Sequence, residues 1–309
     1  MPTLFYTHPV FLEHDTGDGH PERADRLRAV NTAVEHPSFE FLQRAEPPIP
    51  DVRLLERVHP AFYVESTLER IPEDGLRHLD GDTVVSPKSG EAALRSAGAV
   101  LAAVEAVGNG EVRNAFCAVR PPGHHAEPRQ SMGFCLFNNV AIGAFHAQRA
   151  MGLKRVAVVD FDVHHGNGTQ RAFWEQEHMF YASTHQSPMF PGTGMENERG
   201  MYGNIVNCPL PGGSKPDVIR AAYEDTILPR LREFNPDILL ISAGFDAHKA
   251  DPLAHFRLET EDFHWLTTEL VKVADECCDG RVVSVLEGGY DLGALASSTA
   301  VHIRALMGS

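Results

Sequence analysis

The chain has 309 residues, 43% of them hydrophobic and 22% charged, enough for one large core or two smaller ones in an ordinary globular protein. Its 27 Lys and Arg against 42 Asp and Glu give a formal charge of -15 at pH 7, which argues against direct DNA or RNA binding and suits cationic partners or plain solubility. The five cysteines form no C-x-x-C pair, and their odd number fits a reducing, cytoplasmic setting better than a disulfide scaffold. No basic leader precedes an apolar segment and no run approaches a membrane span, so neither secretion nor a membrane is expected.

Thr3-Leu4-Phe5-Tyr6 reads as a short strand, followed by a polar glycine-rich loop from His14 to Pro21 and a helix carrying Leu27, Val30, Ala33 and Val34. Leu54 to Ile71 is helical with a break near Pro60, and Ser89 is positioned to cap an alanine-rich helix over Gly90 to Val107. Ala115 to Val119 is an apolar strand, Asn138 to Met151 a helix stopped by Gly152, and Val156 to Asp162 the next strand. Phe180 to Ser183 follows as a strand, then a Gly/Pro-rich loop over Pro188 to Gly213, then a helix from Ser214 to Phe234 opened by Ser214 and Asp217 as a cap pair. Ile238 to Ser242, Glu261 to Glu276, Val282 to Leu286 and Leu292 to Met307 close the chain as strand, helix, strand and helix. Continuously apolar strands alternating with helices predict an α/β fold: one domain over 1–309 with a mainly parallel central sheet covered on both faces. The polar motifs follow strands, so they collect at the carboxyl edge of that sheet.

The chemistry concentrates at four strand ends. In Asp160-Phe161-Asp162-Val163-His164 the period of two would turn Asp160, Asp162 and His164 the same way. Carboxylate and imidazole suit a catalytic divalent metal, and Asp246 from a second strand end completes an Asp162, His164, Asp246 set with an open side. Asp160 and His248 compete for ligand places. His124-His125, after a Pro-Pro-Gly turn, supplies two titratable rings, of which one would be a general base and the other would position or donate. Asp160 and Asn167 are their natural partners, a carboxylate raising the basicity of its histidine and an amide orienting one. Tyr290, after Gly288-Gly289, offers a neutral phenol donor for a developing oxyanion.

Taken together, these residues resemble the histone deacetylase family of the arginase/deacetylase superfamily. The stretches that carry the resemblance are H-P-E-R at His20 to Arg23, R-P-P-G-H-H-A-E at Arg120 to Glu127 and G-F-C-L-F-N-N at Gly133 to Asn139. They continue with D-F-D-V-H-H-G-N-G-T at Asp160 to Thr169, F-P-G-T-G at Phe190 to Gly194, S-A-G-F-D-A-H at Ser242 to His248, D-P-L at Asp251 to Leu253 and E-G-G-Y at Glu287 to Tyr290. Asn167, where class I enzymes carry Asp, is similar to the class II branch and its bacterial amidohydrolase relatives.

The resemblance implies zinc, or ferrous iron, on Asp162, His164 and Asp246, with His124 paired to Asp160, His125 as general base and Tyr290 polarising an acetyl carbonyl. Gly133, Phe134, Phe190 and Leu253 would wall an acyl-lysine tunnel, with His20 and Arg23 in a polar channel beneath. Potassium is implied near Asp160, Asp162, His164, Ser183 and Thr184, and a second site near Phe173. The expected reaction is zinc-dependent hydrolysis of the acetyl amide of acyl-lysine side chains in proteins or peptides, giving acetate and amine. Small acylated amines such as acetylpolyamines are the alternative substrates, for which Glu13, Asp15 or Asp18 would supply negative charge at the rim. An inactive acyl-lysine binding module is the remote alternative, disfavoured by the complete ligand set with Tyr290. An oligomer is compatible with these readings.

Overall fold

The computed structural model describes residues 2–308. Its strands run in chain order as β1 (Thr3–Tyr6), β2 (Gln43–Ala45), β3 (Arg77–His78), β4 (Val84–Val85), β5 (Asn114–Cys117), β6 (Val156–Asp160), β7 (Met179–Gln186), β8 (Ile205–Leu210), β9 (Ile238–Ala243) and β10 (Val282–Leu286). Eight of them form one sheet in the order β2-β1-β5-β10-β9-β6-β7-β8, every pairing parallel, while β3 and β4 make a separate antiparallel pair. Apolar runs such as Val156-Ala157-Val158-Val159 and Ile238-Leu239-Leu240-Ile241 are wholly buried, as a sheet covered on both faces requires. Ser89–Gly108 packs with Asn139–Met151 on one side; Leu292–Met307 packs with Ala24–Ala33 and Thr260–Cys278 on the other.

Several local expectations are corrected. Ser89 is the first helical residue rather than the cap, and its hydroxyl accepts from the Ser86 N–H at 2.8 Å. Ser214 donates to the Pro211 carbonyl at 2.7 Å and caps nothing, the helix starting at Pro216, whose fixed φ suits a first turn. The run to Phe234 widens into a π-turn over Tyr223–Ile227 before resuming at Leu228–Phe234. The supposed loop over 188–213 contains the edge strand β8, which tolerates Pro209 because its outer side has no strand to pair with. Asn138 does cap its helix, accepting from the Ala141 N–H at 3.0 Å, and Gly152 closes it at φ 71°.

Two core histidines make the fold acid-sensitive. His302 donates from Nδ1 to Thr267 Oγ1 at 2.6 Å, since that hydroxyl already donates to the Phe263 carbonyl; its Nε2 faces Ser284 Oγ at 2.8 Å among Phe116, Phe161 and Phe245. His59 Nε2 accepts the Asn138 N–H at 2.9 Å while Nδ1 meets the Pro128 carbonyl at 3.2 Å. Burial lowers His302 to about 3 and His59 to about 4. Between those values and the unfolded value near 6.5 the unfolded chain binds more protons, so stability is intact above about pH 6.5 and falls as pH drops toward 4 and 3. Each histidine is expected to cost on the order of 3 kcal/mol at the end of its window. Urea titrations at pH 7 and pH 5 test this: the His302→Gln variant should show a shallower acid loss than the parent, and an equal slope would remove His302 as a cause.

Candidate active site

Four loops build the site, and they leave the carboxyl ends of β5, β10, β9 and β6, which are neighbours in the sheet. That adjacency brings together residues from 120 to 290. After β6 the chain turns at Phe161 and returns Asp162 and His164 to a point shared with Asp246 from the end of β9. His164 Nδ1 lies 3.1 Å from Asp162 Oδ1 and 3.1 Å from Asp246 Oδ2. The three ligand atoms all lie within 4.8 Å of one another. Their remaining valences are held: Asp162 accepts from the Gly288 N–H at 2.8 Å and the His164 N–H at 2.9 Å, and Asp246 from the Val163 N–H at 2.9 Å.

Burial lifts Asp246 to about 7, the Asp162 charge adding to the shift and His164 opposing it. The two buried carboxylates repel each other, and the His164 ring between them offsets part of that repulsion, as a bound cation would. The donor set, three protein groups beside an accessible cavity, fits a catalytic divalent ion. Glycine is required alongside: a Cβ at Gly288 would collide with Asp246 Oδ2 and stand 2.6 Å from Asp162 Oδ2. His248 does not join the set; its Nδ1 accepts the Ala250 N–H at 3.1 Å.

Asp160 is the last residue of β6 and stands outside the cluster formed by Asp162, His164 and Asp246, so it is not a fourth member of the ligand set. It accepts from Tyr181 Oη at 3.1 Å and meets His124 Nδ1 at 3.0 Å. Burial disfavours charge on His124, but Asp160 and Asp162 outweigh it and raise the ring to about 10. His125 has the opposite environment. Its Nδ1 donates to Asn167 Oδ1 at 2.9 Å, and the Asn167 amide is oriented by donating to Glu127 Oε1 at 2.9 Å. Burial, then the positive fields of His124 and His164, hold His125 well below its usual value. One histidine is therefore charged and the other neutral, with an Nε2 lone pair available.

The cavity that opens onto these groups measures about 360 Å³. His125, His164 and Tyr290 line it together with Gly133, Phe134, Phe190 and Leu253, so all four expected tunnel residues meet there. Met189 and Asp82 line it too and had no signal in the sequence. A Cβ at Gly133 would come within 2.5 Å of His125 Cδ2, and Gly133 and Phe134 both take positive φ, 54° and 70°. The strained Phe134 backbone directs its ring edge-on to Tyr290, with centroids 6.0 Å apart. The Tyr290 hydroxyl is held well above 10 by burial, Arg26 opposing and Asp246 adding, so it is a neutral donor.

The polar residues beneath the site are not those expected. Arg23 has a side chain 49% exposed beside Asp25, and His20 packs against Phe134 at 4.8 Å while its Nε2 meets the Asp82 carbonyl. The buried guanidinium is Arg26, one helical turn on, donating to the carbonyls of Gly289 at 2.6 Å and Glu287 at 2.5 Å and to Glu22 Oε1 at 3.0 Å. Arg120 clasps the same Glu22 through both carboxylate oxygens, at 2.5 and 2.8 Å. The spacing of Glu22 and Arg26, four apart on a helix entry, was the readable sign of this pair. Of the potassium candidates, Asp160 and Ser183 are register partners across β6 and β7, with Thr184 next and Phe173 buried at the end of Asn167–Phe173.

A histone deacetylase domain profile matches residues 20–306. The chain is 41% identical over 99% of its length to "Histone deacetylase 14, chloroplastic" of Arabidopsis thaliana, covering 77% of that protein. It is 38% identical over 88% of its length to the "Histone deacetylase-like amidohydrolase" of Pseudomonas aeruginosa, covering 73%. Among solved structures, the HDA15 HD domain superposes with a TM-score of 0.93 at 33% identity, over 100% of this chain and 90% of that one. With its ligand set, its paired histidines and its cavity gathered at one sheet edge, the chain belongs to the histone deacetylase family and is a hydrolytic deacetylase.

Proposed function

We propose that this enzyme hydrolyses the acetyl amide of Nε-acetyl-lysine in proteins or peptides, with zinc held by Asp162, His164 and Asp246. The observation that carries the reading is the apolar cavity of about 360 Å³ ending on the ligand set, a neutral histidine and a neutral phenol. Bound there, zinc or ferrous iron supplies Lewis acidity to the amide carbonyl and to the attacking water. Phe134 and Phe190 take the aliphatic stem between them, each buried methylene contributing about 0.8 kcal/mol. Tyr290 donates its hydroxyl proton in a hydrogen bond to the carbonyl oxygen, and that bond strengthens as negative charge develops there. Nε2 of His125 accepts the proton of the attacking water, with Asn167 and Glu127 fixing the ring by its other nitrogen. His124, charged and held by Asp160, lies beside His125 with ring centroids 4.0 Å apart and balances the buried carboxylates. Potassium at Asp160, Ser183 and Thr184, with a second ion near Phe173, would support the same negative cluster from below.

Acetylpolyamines are the second reading, and one observation favours it. Glu13, Asp15 and Asp18 line a different cavity, so they do not bear on this rim, whereas Asp82 is an acidic residue among those lining the active-site cavity itself. A panel of acetyl-lysine peptides, longer acyl-lysine peptides, acetylputrescine and acetylspermidine, offered to the zinc-loaded protein, decides between the two. Acetyl-lysine peptides are expected to give the highest kcat/KM. A polyamine substrate ahead by more than about tenfold, or about 1.4 kcal/mol, would reverse the assignment.

A further inference from the structure

Tyr290 follows two glycines, one of them at φ 121°, and such a segment has no intrinsic reason to hold a phenol in one place. Two buried groups hold its backbone. Arg26 takes the carbonyls of Glu287 and Gly289, as described above. The N–H of Tyr290 itself donates to Asp251 Oδ2 at 2.8 Å. The other oxygen of the same carboxylate, Oδ1, accepts the N–H of Leu253 at 2.9 Å. Asp251 is 7% exposed and sits in the turn after β9, five residues beyond the ligand Asp246 and 39 residues before Tyr290.

We propose that Asp251 is a positioning residue for the hydrolytic step, one carboxylate that ties the backbone carrying the Tyr290 phenol to the backbone of Leu253 at the cavity wall. The two tied residues face the same cavity. A substrate that seats against Leu253 therefore bears on the backbone that aims the oxyanion donor, and displacement of either residue is passed to the other. A carboxylate suits this place because both oxygens accept. An asparagine presents one oxygen and one NH₂ group, which would face an N–H and leave that donor without an acceptor. Aspartate beside a Pro-Leu pair could serve as a local turn residue alone, but a turn accounts only for the Leu253 contact. The bond to Tyr290 joins the loop after β9 to the loop after β10.

The inference rests on the oxyanion role of Tyr290, and a double-mutant cycle separates the two claims. Zinc-loaded parent, Asp251→Asn, Tyr290→Phe and the double variant are assayed at saturating concentration of the best substrate in the panel, with metal content measured on each. In the parent background, Asp251→Asn is expected to lower kcat by about tenfold or more with metal content unchanged, the size expected when an oxyanion donor is misplaced rather than removed. In the Tyr290→Phe background, the same change is expected to cost less than about twofold, because the hydroxyl it positions is gone. Should Asp251→Asn fail to fold, Asp251→Glu keeps the charge and both acceptors but shifts them by a methylene, and the same pattern is expected of it. Equal losses in both backgrounds, or no loss in the parent, would overturn the positioning role. If Tyr290→Phe itself retained full kcat, the oxyanion assignment would fall instead.

Discussion

Asp246→Ala is expected to lose nearly all bound zinc and, with it, deacetylase activity down to the limit of detection. One ligand of three is removed, and the two that remain, Asp162 and His164, come from a single turn after β6 and cannot enclose an ion. The lost binding is strong, since a three-ligand catalytic site depends on every protein donor. The variant should still fold. Asp246 also accepts the Val163 N–H, so Asp246→Asn, which keeps an oxygen there, serves as the milder control. Thermal melts of the EDTA-treated proteins give a second readout. In the stripped protein Asp246 still holds His164 Nδ1 and the Val163 N–H, so the stripped Asp246→Ala variant is expected to melt below the stripped parent, with Asp246→Asn in between. Elemental analysis showing a full equivalent of zinc in Asp246→Ala would refute the ligand assignment.

The second large effect belongs to Tyr290→Phe. Deleting one oxyanion donor typically costs about 3 kcal/mol, so kcat should fall by roughly a hundredfold to a thousandfold. Because the phenol is neutral and acts mainly as charge develops, KM should change far less, and zinc content not at all. The ring remains, so its edge contact with Phe134 and the Arg26 guanidinium 5.0 Å over its face are kept and the fold is undisturbed. A kcat within about twofold of the parent would exclude the oxyanion role, since a factor of two is under about 0.5 kcal/mol.

The site was legible from the sequence wherever a motif ended an apolar strand. The candidate ligands Asp162, His164 and Asp246, the two histidines and Tyr290 were readable because each follows an apolar strand and carries a side chain suited to such chemistry. What was not legible depends on tertiary pairing. β8 reads as loop because Asn207 and Pro209 interrupt its apolar pattern, and only an outer strand with one neighbour tolerates both. Arg23 and Arg26 are equally basic in the sequence, but Arg23 is the extended residue before the helix while Arg26 lies in its first turn on the buried side. Asp82 reaches the cavity through the loop between β3 and β4, a pair too short to leave a periodic signal.

The strand order carries a consequence for how the molecule comes together. β2, β1 and β5 form one group, β9, β6, β7 and β8 another, and β10 alone is hydrogen-bonded to both. Without residues 282–286 the pairing leaves two groups of strands with no hydrogen bonds between them. A chain halted before that point presents the bare flanks of β5 and β9, both apolar and both open to pairing with other nascent chains. β10 also delivers Tyr290 and the Gly288 backbone that holds Asp162, so closure of the sheet and completion of the catalytic centre are one event. A chain that stops short of the tenth strand would be aggregation-prone and without activity at once, so its loss should be felt in solubility and turnover together.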